Sequence, residues 1–252
     1  MKSLGHHRNQ WILENGSIDL RRGKSGRDFS LLTQPAPIKL NIEQTALIII
    51  DMQNDFCHKK GWLSSIGVDT EPLSNISTTI NNITSISRIV GIPIVWLNWG
   101  NRVDLLNISP SLLHVYDNHF VGAGLGSEIN EFSRHVLVKN SWGAKLYDNL
   151  VVSTNDIFVD KYRMSGFWDN ELDSILRNMD IKSLFFLGVN VDQCVLSTLI
   201  DASCLGYDCI LIEDGCATTS PHYCSLATIY NVKQCFGFTV QSQNFSSIIK
   251  DN

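Results

Sequence analysis

The chain has 252 residues, a net charge of −5, 44% hydrophobic residues and 18% charged residues. That balance allows a sizeable core and excludes a compositionally disordered chain. It carries no basic excess that would call for nucleic acid, and its longest apolar run, residues 46–50, is too short to cross a bilayer, so neither nucleic acid nor membrane is an expected partner.

Residues 1–44 read as an N-terminal extension. Basic residues and glycines cluster over residues 21–27, Pro35 and Pro37 follow, and no apolar period is sustained. A single α/β domain over residues 45–252 is the expected remainder. The seven cysteines, Cys57, Cys194, Cys204, Cys209, Cys216, Cys224 and Cys235, form no CxxC pair. The opening residues 1–10 are polar and hold no apolar stretch of a secretory signal. Reduced thiols in a cytoplasmic protein are therefore expected.

From Thr45 the pattern changes. The apolar run Ala46 to Ile50, rich in β-branched residues and ending at Asp51, predicts a strand buried on both faces. Ile76, Ile80, Ile83, Ile86 and Val90 have helical spacing, and Gly91 is placed to end that helix. A strand is predicted over 92–97, another over 156–161 and a helix over 170–178. Strand 183–188, helix 194–205, strand 208–213, helix 221–231 and strand 236–240 complete the series. Strands alternating with helices of about ten residues predict βαβ units, a mostly parallel sheet and a three-layer α/β/α sandwich.

In such sheets ligands bind beyond the carboxyl ends of the strands. Asp51, Lys161 and Cys194 each follow or end a predicted strand, so all three are expected at one edge. Cys194 opens a predicted helix, whose positive end favours thiolate; a lysine nearby would lower the thiol pKa further, and a carboxylate could take its proton. On propensity alone Asp51 could equally cap or pair at the strand end, Lys161 could be a solvated surface lysine, and Cys194 could be a packed cysteine.

Three blocks, in order, resemble the isochorismatase-like cysteine hydrolases. Residues 48–56 (IIIDMQNDF) match a hydrophobic-DxQxxF pattern, residues 159–167 (VDKYRMSGF) match K-x-x-x-S-x-F, and residues 188–195 (GVNVDQCV) match G-x-x-x-x-x-C-V. The likeness runs from about Thr45 to Val240. It implies Asp51 as general base, Lys161 as the charge partner of thiolate and carboxylate, and Cys194 as a nucleophile that forms an acyl-enzyme. It also implies a cis peptide between Val189 and Asn190, with the backbone amides of Asn190 and Cys194 as the oxyanion hole. Asn190 stands where the family more often has alanine or threonine. A homo-oligomer, dimer or tetramer, is a further expectation from the resemblance.

The nicotinamidase branch carries histidine ligands after its second strand, whereas residues 97–104 hold none. His58, His114, His119, His135 and His222 show no ligand spacing, so no metal and no cofactor are expected. Cys194 argues against isochorismatases proper, some of which lack the cysteine. Residues 139–146, 165–167 and 172–177 resemble the ureidoacrylate amidohydrolase branch, and residues 51–57 and 122–126 resemble the biuret hydrolase branch. The expected activity is hydrolysis of a C–N bond in a small ureide or amide, with Phe56, Trp99 and Phe167 as candidate pocket residues. A nicotinamidase- or isochorismatase-type hydrolase is the alternative. So is a catalytically inactive protein or a thiol sensor on the same fold, with Cys204 or Cys216 resolving Cys194.

Overall fold

The structure, a computed structural model, describes residues 1–117, 122–130, 132 and 135–249. Residues 1–44 are more than the unpatterned extension expected from their sequence. They hold five strands: β1 (Lys2–His6), β2 (Asn9–Glu14), β3 (Ser17–Asp19), β4 (Asp28–Leu31) and β5 (Ile38–Asn41), in the order β1-β2-β3-β5-β4. Phe29 and Leu31 on β4 and Ile38 and Leu40 on β5 alternate with polar residues and join the main core.

This small sheet sits against the large one. Phe29 packs on Phe185 with ring centroids 6.5 Å apart, and Trp11 packs on Phe238 at 6.0 Å. Gln34 exchanges two 2.9 Å backbone hydrogen bonds with Thr239. That bridge covers part of an outer strand that would otherwise present unpaired amides.

The second sheet has six strands: β6 (Thr45–Ile50), β7 (Ile94–Trp99), β8 (Ile157–Lys161), β9 (Ser183–Val189), β10 (Asp208–Ala217) and β11 (Gly237–Val240). All its pairings are parallel, in the order β11-β10-β9-β6-β7-β8. Every residue of β6 and of β9 is buried, which is why both read as continuous apolar runs. Helices lie between and after these strands: α1 (Asn54–Cys57), α2 (Trp62–Ser65), α3 (Glu71–Asn75), α4 (Ser77–Val90), α5 (Pro110–Tyr116), α6 (Leu172–Asn178), α7 (Leu196–Cys204), α8 (His222–Asn231) and α9 (Ser242–Phe245).

The chain winds outward from β6 to β7 and β8, then returns to lay β9, β10 and β11 on the other side. Right-handed crossovers then put the β6–β7 and β9–β10 connections on opposite faces, giving three layers. Helix α4 buries Ile80 and Ile83, each contributing about 2 kcal/mol by burial. It ends at Gly91, whose φ of +82° closes the helix with a bond to the Ser87 carbonyl. The strand order reverses between β6 and β9, which stay paired through Ile50 and Gly188 while the chain leaves their carboxyl ends toward opposite faces, the place where such sheets form a ligand crevice. Asp51 leaves β6 there, and Cys194 follows β9 there. Among the described residues no helix is long and apolar enough to cross a membrane.

Candidate active site

Three devices shape the crevice. The first is the glycine of the third block. Gly188 has a φ of +115°, and a Cβ there would meet the Ile50 carbonyl oxygen at 2.2 Å. Only glycine lets β9 come this close to the end of β6. The second is Asp51 itself, a non-glycine residue at a φ of +53° whose amide donates to the Leu97 carbonyl at 2.9 Å. The third is the turn Val191–Val195, a single wide helical turn that runs into α7 and carries Cys194. The peptide between Val189 and Asn190 is cis.

The structure brings Asp51, Lys161 and Cys194 together. Lys161 Nζ lies 2.9 Å from Asp51 Oδ2 and 3.4 Å from Cys194 Sγ, and donates to the Arg163 carbonyl at 3.1 Å. The Asp51 carboxylate faces both the Lys161 ammonium and the Cys194 thiol. All three side chains are sealed, at 1%, 0% and 3% exposure. The ammonium also lies 4.0 Å from the centre of the Trp99 ring, a cation–π contact strengthened by the absence of water.

Burial corrects one expectation. The helix start and the lysine were expected to lower the Cys194 pKa. Instead desolvation, with the Asp51 charge second, pushes the thiol well above its usual range, and Lys161 only partly opposes this. Desolvation also raises the Asp51 carboxyl, against the pull of Lys161 and Cys194. Burial thus favours the neutral thiol and makes the Asp51 carboxylate more basic, while the Lys161 contact opposes both shifts.

The candidate pocket residues fall in different places. Trp99, the last residue of β7, is fully buried over Lys161, and its Nε1 donates to Asn101 Oδ1 at 2.7 Å. Phe56 packs edge-on to Trp62 at 6.2 Å. Phe167 turns its ring onto Tyr207 at 5.8 Å, and Tyr207 precedes β10 at the opposite edge of the sheet. Asn190 uses its side chain within the loop: Oδ1 accepts from the Thr219 amide at 3.0 Å. Of the histidines, His58 packs on Trp142 at 5.0 Å, and His119 lies outside the described residues. Among the described residues no group of three or more His, Cys, Asp or Glu could hold a metal.

Three residues at the site had no role assigned from the sequence. Gln53, in the first block, braces Trp99: Nε2 donates to the Trp99 carbonyl at 2.7 Å and Oε1 accepts from its amide at 2.8 Å. Met164, in the second block, has its Sδ 3.7 Å from Cys194 Sγ. Tyr116, at the end of α5, points its hydroxyl at the same Met164 Sδ, also at 3.7 Å. Gln53 and Met164 lie inside quoted blocks, whereas nothing in its local pattern marks Tyr116. The second block is tied to the cysteine helix by Thr198, which accepts from the Gly166 amide at 3.0 Å and donates to the Cys194 carbonyl at 2.6 Å.

The isochorismatase domain profile matches residues 45–244. The chain belongs to the isochorismatase family. Within that family it is 30% identical to ureidoacrylate amidohydrolase RutB of Acinetobacter baylyi over 243 residues, covering 91% of this chain and 93% of that one. It is also 30% identical to the RutB of Pantoea ananatis, covering 94% and 95%. Among solved structures, a cysteine hydrolase from Pseudomonas syringae pv. phaseolicola superposes with a TM-score of 0.71 at 20% identity, covering 84% of this chain and 96% of that chain. N-carbamoylsarcosine amidase from Thermoplasma acidophilum superposes at 0.60 with 22% identity, covering 79% and 96%. At those identities the superpositions speak to the fold of the isochorismatase family.

Proposed function

We propose that this isochorismatase-family protein is a cysteine-dependent amidohydrolase that cleaves a C–N bond of a small ureide or amide through an acyl-enzyme on Cys194. The observation that carries the reading is the Lys161 ammonium between Asp51 Oδ2 at 2.9 Å and Cys194 Sγ at 3.4 Å, sealed from water. The amidohydrolase names of relatives at 30% identity over nearly the whole chain support it.

The steps follow from the charges. Asp51 takes the thiol proton as the sulfur attacks the substrate carbonyl carbon, and Lys161 offsets the negative charge that forms on the sulfur. The carbonyl oxygen becomes an oxyanion, for which the amides of Asn190 and Cys194 are the assigned donors. The C–N bond breaks, Asp51 returns the proton to the leaving nitrogen, and a thioester remains. Water, deprotonated by Asp51, attacks the thioester; its acid is released and the proton returns to Cys194. No metal enters these steps.

Residues 45–252 are taken as the catalytic unit and residues 1–44 as an addition to it. Seven free thiols support a cytoplasmic location. Helix α8 supports self-association: Tyr223, Leu226 and Tyr230 are exposed at helical spacing, and the helix holds no Asp, Glu, Lys or Arg.

The test is product release from a panel of ureides and primary amides with a chelator present. Hydrolysis of at least one class by the wild-type protein, lost in Cys194→Ala, is expected. A chelator-sensitive rate restored by zinc, or no turnover across the panel, contradicts the reading.

A further inference from the structure

The Tyr116 ring is held between two tryptophans, 5.5 Å from Trp62 and 5.3 Å from Trp99. Trp62 is fixed in turn by its amide's bond to Asp55 Oδ1 at 3.2 Å and by Nε1 donating to the Ala123 carbonyl at 2.5 Å. A phenylalanine would fill that slot as well. The hydroxyl is the part that packing leaves unexplained. Its hydrogen-bond contacts among the described residues are with sulfur, the Met164 thioether at 3.7 Å and the Cys194 side chain. A thioether is a weak acceptor, so a largely desolvated phenol O–H has been left underused.

The same Met164 Sδ takes both the Tyr116 hydroxyl and the Cys194 thiol, each at 3.7 Å. The two groups therefore flank one side chain, and that side chain is unbranched and readily moved. Burial above all, with the nearby Asp51 carboxylate adding to it, keeps the phenol protonated, so it acts as a donor.

Building on the proposed hydrolase reading, we propose that Tyr116 is a specificity-determining residue whose hydroxyl donates to a second carbonyl oxygen of the substrate, one nitrogen away from the carbon that Cys194 attacks. The substrate displaces the Met164 thioether and supplies the stronger acceptor that Tyr116 lacks in the resting site. The favoured substrates are then acylurea-type compounds, with two carbonyls on one nitrogen, over simple amides. A site built to hydrogen-bond an acceptor rejects analogues that lack it, because its own donor is left unpaired.

The test compares acetylurea with pentanamide, which has the same number of non-hydrogen atoms and a single carbonyl. Their kcat/KM ratio is measured in the wild type and in Tyr116→Phe; a ratio does not depend on the fraction of protein that is folded. The expected result is a fall of tenfold or more in the ratio. A ratio within threefold of wild type overturns the assignment. If neither compound is turned over by the wild type, the hydrolase reading is decided by the wider panel, and Tyr116 is judged by binding. Acetylurea should then protect Cys194 from iodoacetamide at least tenfold less well in Tyr116→Phe than in the wild type. Equal protection, or protection in neither, overturns it.

Discussion

Gln53 grips both backbone polar groups of Trp99, accepting from its amide at 2.8 Å and donating to its carbonyl at 2.7 Å. The glutamine of the first block thereby fixes the end of β7, and with it the ring over Lys161. Its Nε2 reaches the Ala144 carbonyl as well, at 2.7 Å. Gln53→Leu keeps the volume but leaves these groups buried and unpaired, at a cost of about 3 kcal/mol. Urea unfolding should show the midpoint fall, together with kcat. An unchanged midpoint would mean that Trp99 is held by packing alone.

Asp51 and Lys161 form a buried ion pair, so removing one partner strands the other. Asp51→Asn should destabilise the fold by roughly 3–5 kcal/mol and reduce kcat/KM by about a thousandfold or more. Lys161→Ala should raise the pH midpoint of Cys194 alkylation, since Lys161 is the group that draws the thiol pKa down. Groups that act as one unit lose activity non-additively. The double variant should be little worse than the worse single one. Losses that simply multiply, with no shift in alkylation, would reduce Lys161 to a structural side chain.

Much of this site was legible in the sequence for a simple reason. Strands β6 and β9 are buried on both faces, so their apolar runs are continuous and their ends are sharp. Asp51 directly follows one, and Lys161 closes β8, so neither needed tertiary information to be placed. Residues 1–44 were not legible because their strands are short and unevenly covered. Strand β1 is exposed along its whole length, and the apolar alternation at Phe29–Leu31 and Ile38–Leu40 spans only three residues each. The direction of the Cys194 pKa was hidden as well. Sequence shows a helix start and a lysine, but not how much water is lost. Tyr116 reaches the sulfur from a helix far away in the chain, and Phe167 turns toward Tyr207, both set by packing that no local pattern encodes.

Arg22 ties the N-terminal sheet to the start of β10. Its two terminal nitrogens each lie 2.7 Å from Asp208, which also accepts from Ser183 Oγ at 2.9 Å. The pair is nearly buried, and it lies at the edge of the sheet away from Cys194. Arg22→Ala strands the Asp208 carboxylate and should cost about 3 kcal/mol. At temperatures where the variant remains folded, kcat should hold within twofold. A large loss of kcat in folded protein would mean that the N-terminal sheet takes part in the chemistry.

Burial also raises the thiols of Cys57, Cys209 and Cys216, alongside Cys194. Their ordinary value is 9.0. Below pH 9 both folded and unfolded chains keep these protons, and the stability is fully present. Above it the unfolded chain releases protons that the folded chain retains, so stability falls as pH rises. At pH 10 the loss should be about 1 kcal/mol for each buried thiol. Urea midpoints at pH 8 and pH 10 measure it, and Cys57→Ala should remove one share. A midpoint that does not move would mean that these sulfurs are not desolvated.

The central claim is a covalent bond between substrate carbonyl and Cys194 Sγ, and intact-mass analysis after rapid acid quench during turnover tests it most directly. Wild-type protein mixed with a hydrolysed ureide or amide should show one acyl adduct, mapped to the peptide containing Cys194. Cys194→Ala should show no adduct and a kcat lowered by several orders of magnitude. An adduct on any other residue, or a Cys194→Ala variant that keeps more than about a tenth of the wild-type kcat, would contradict the account.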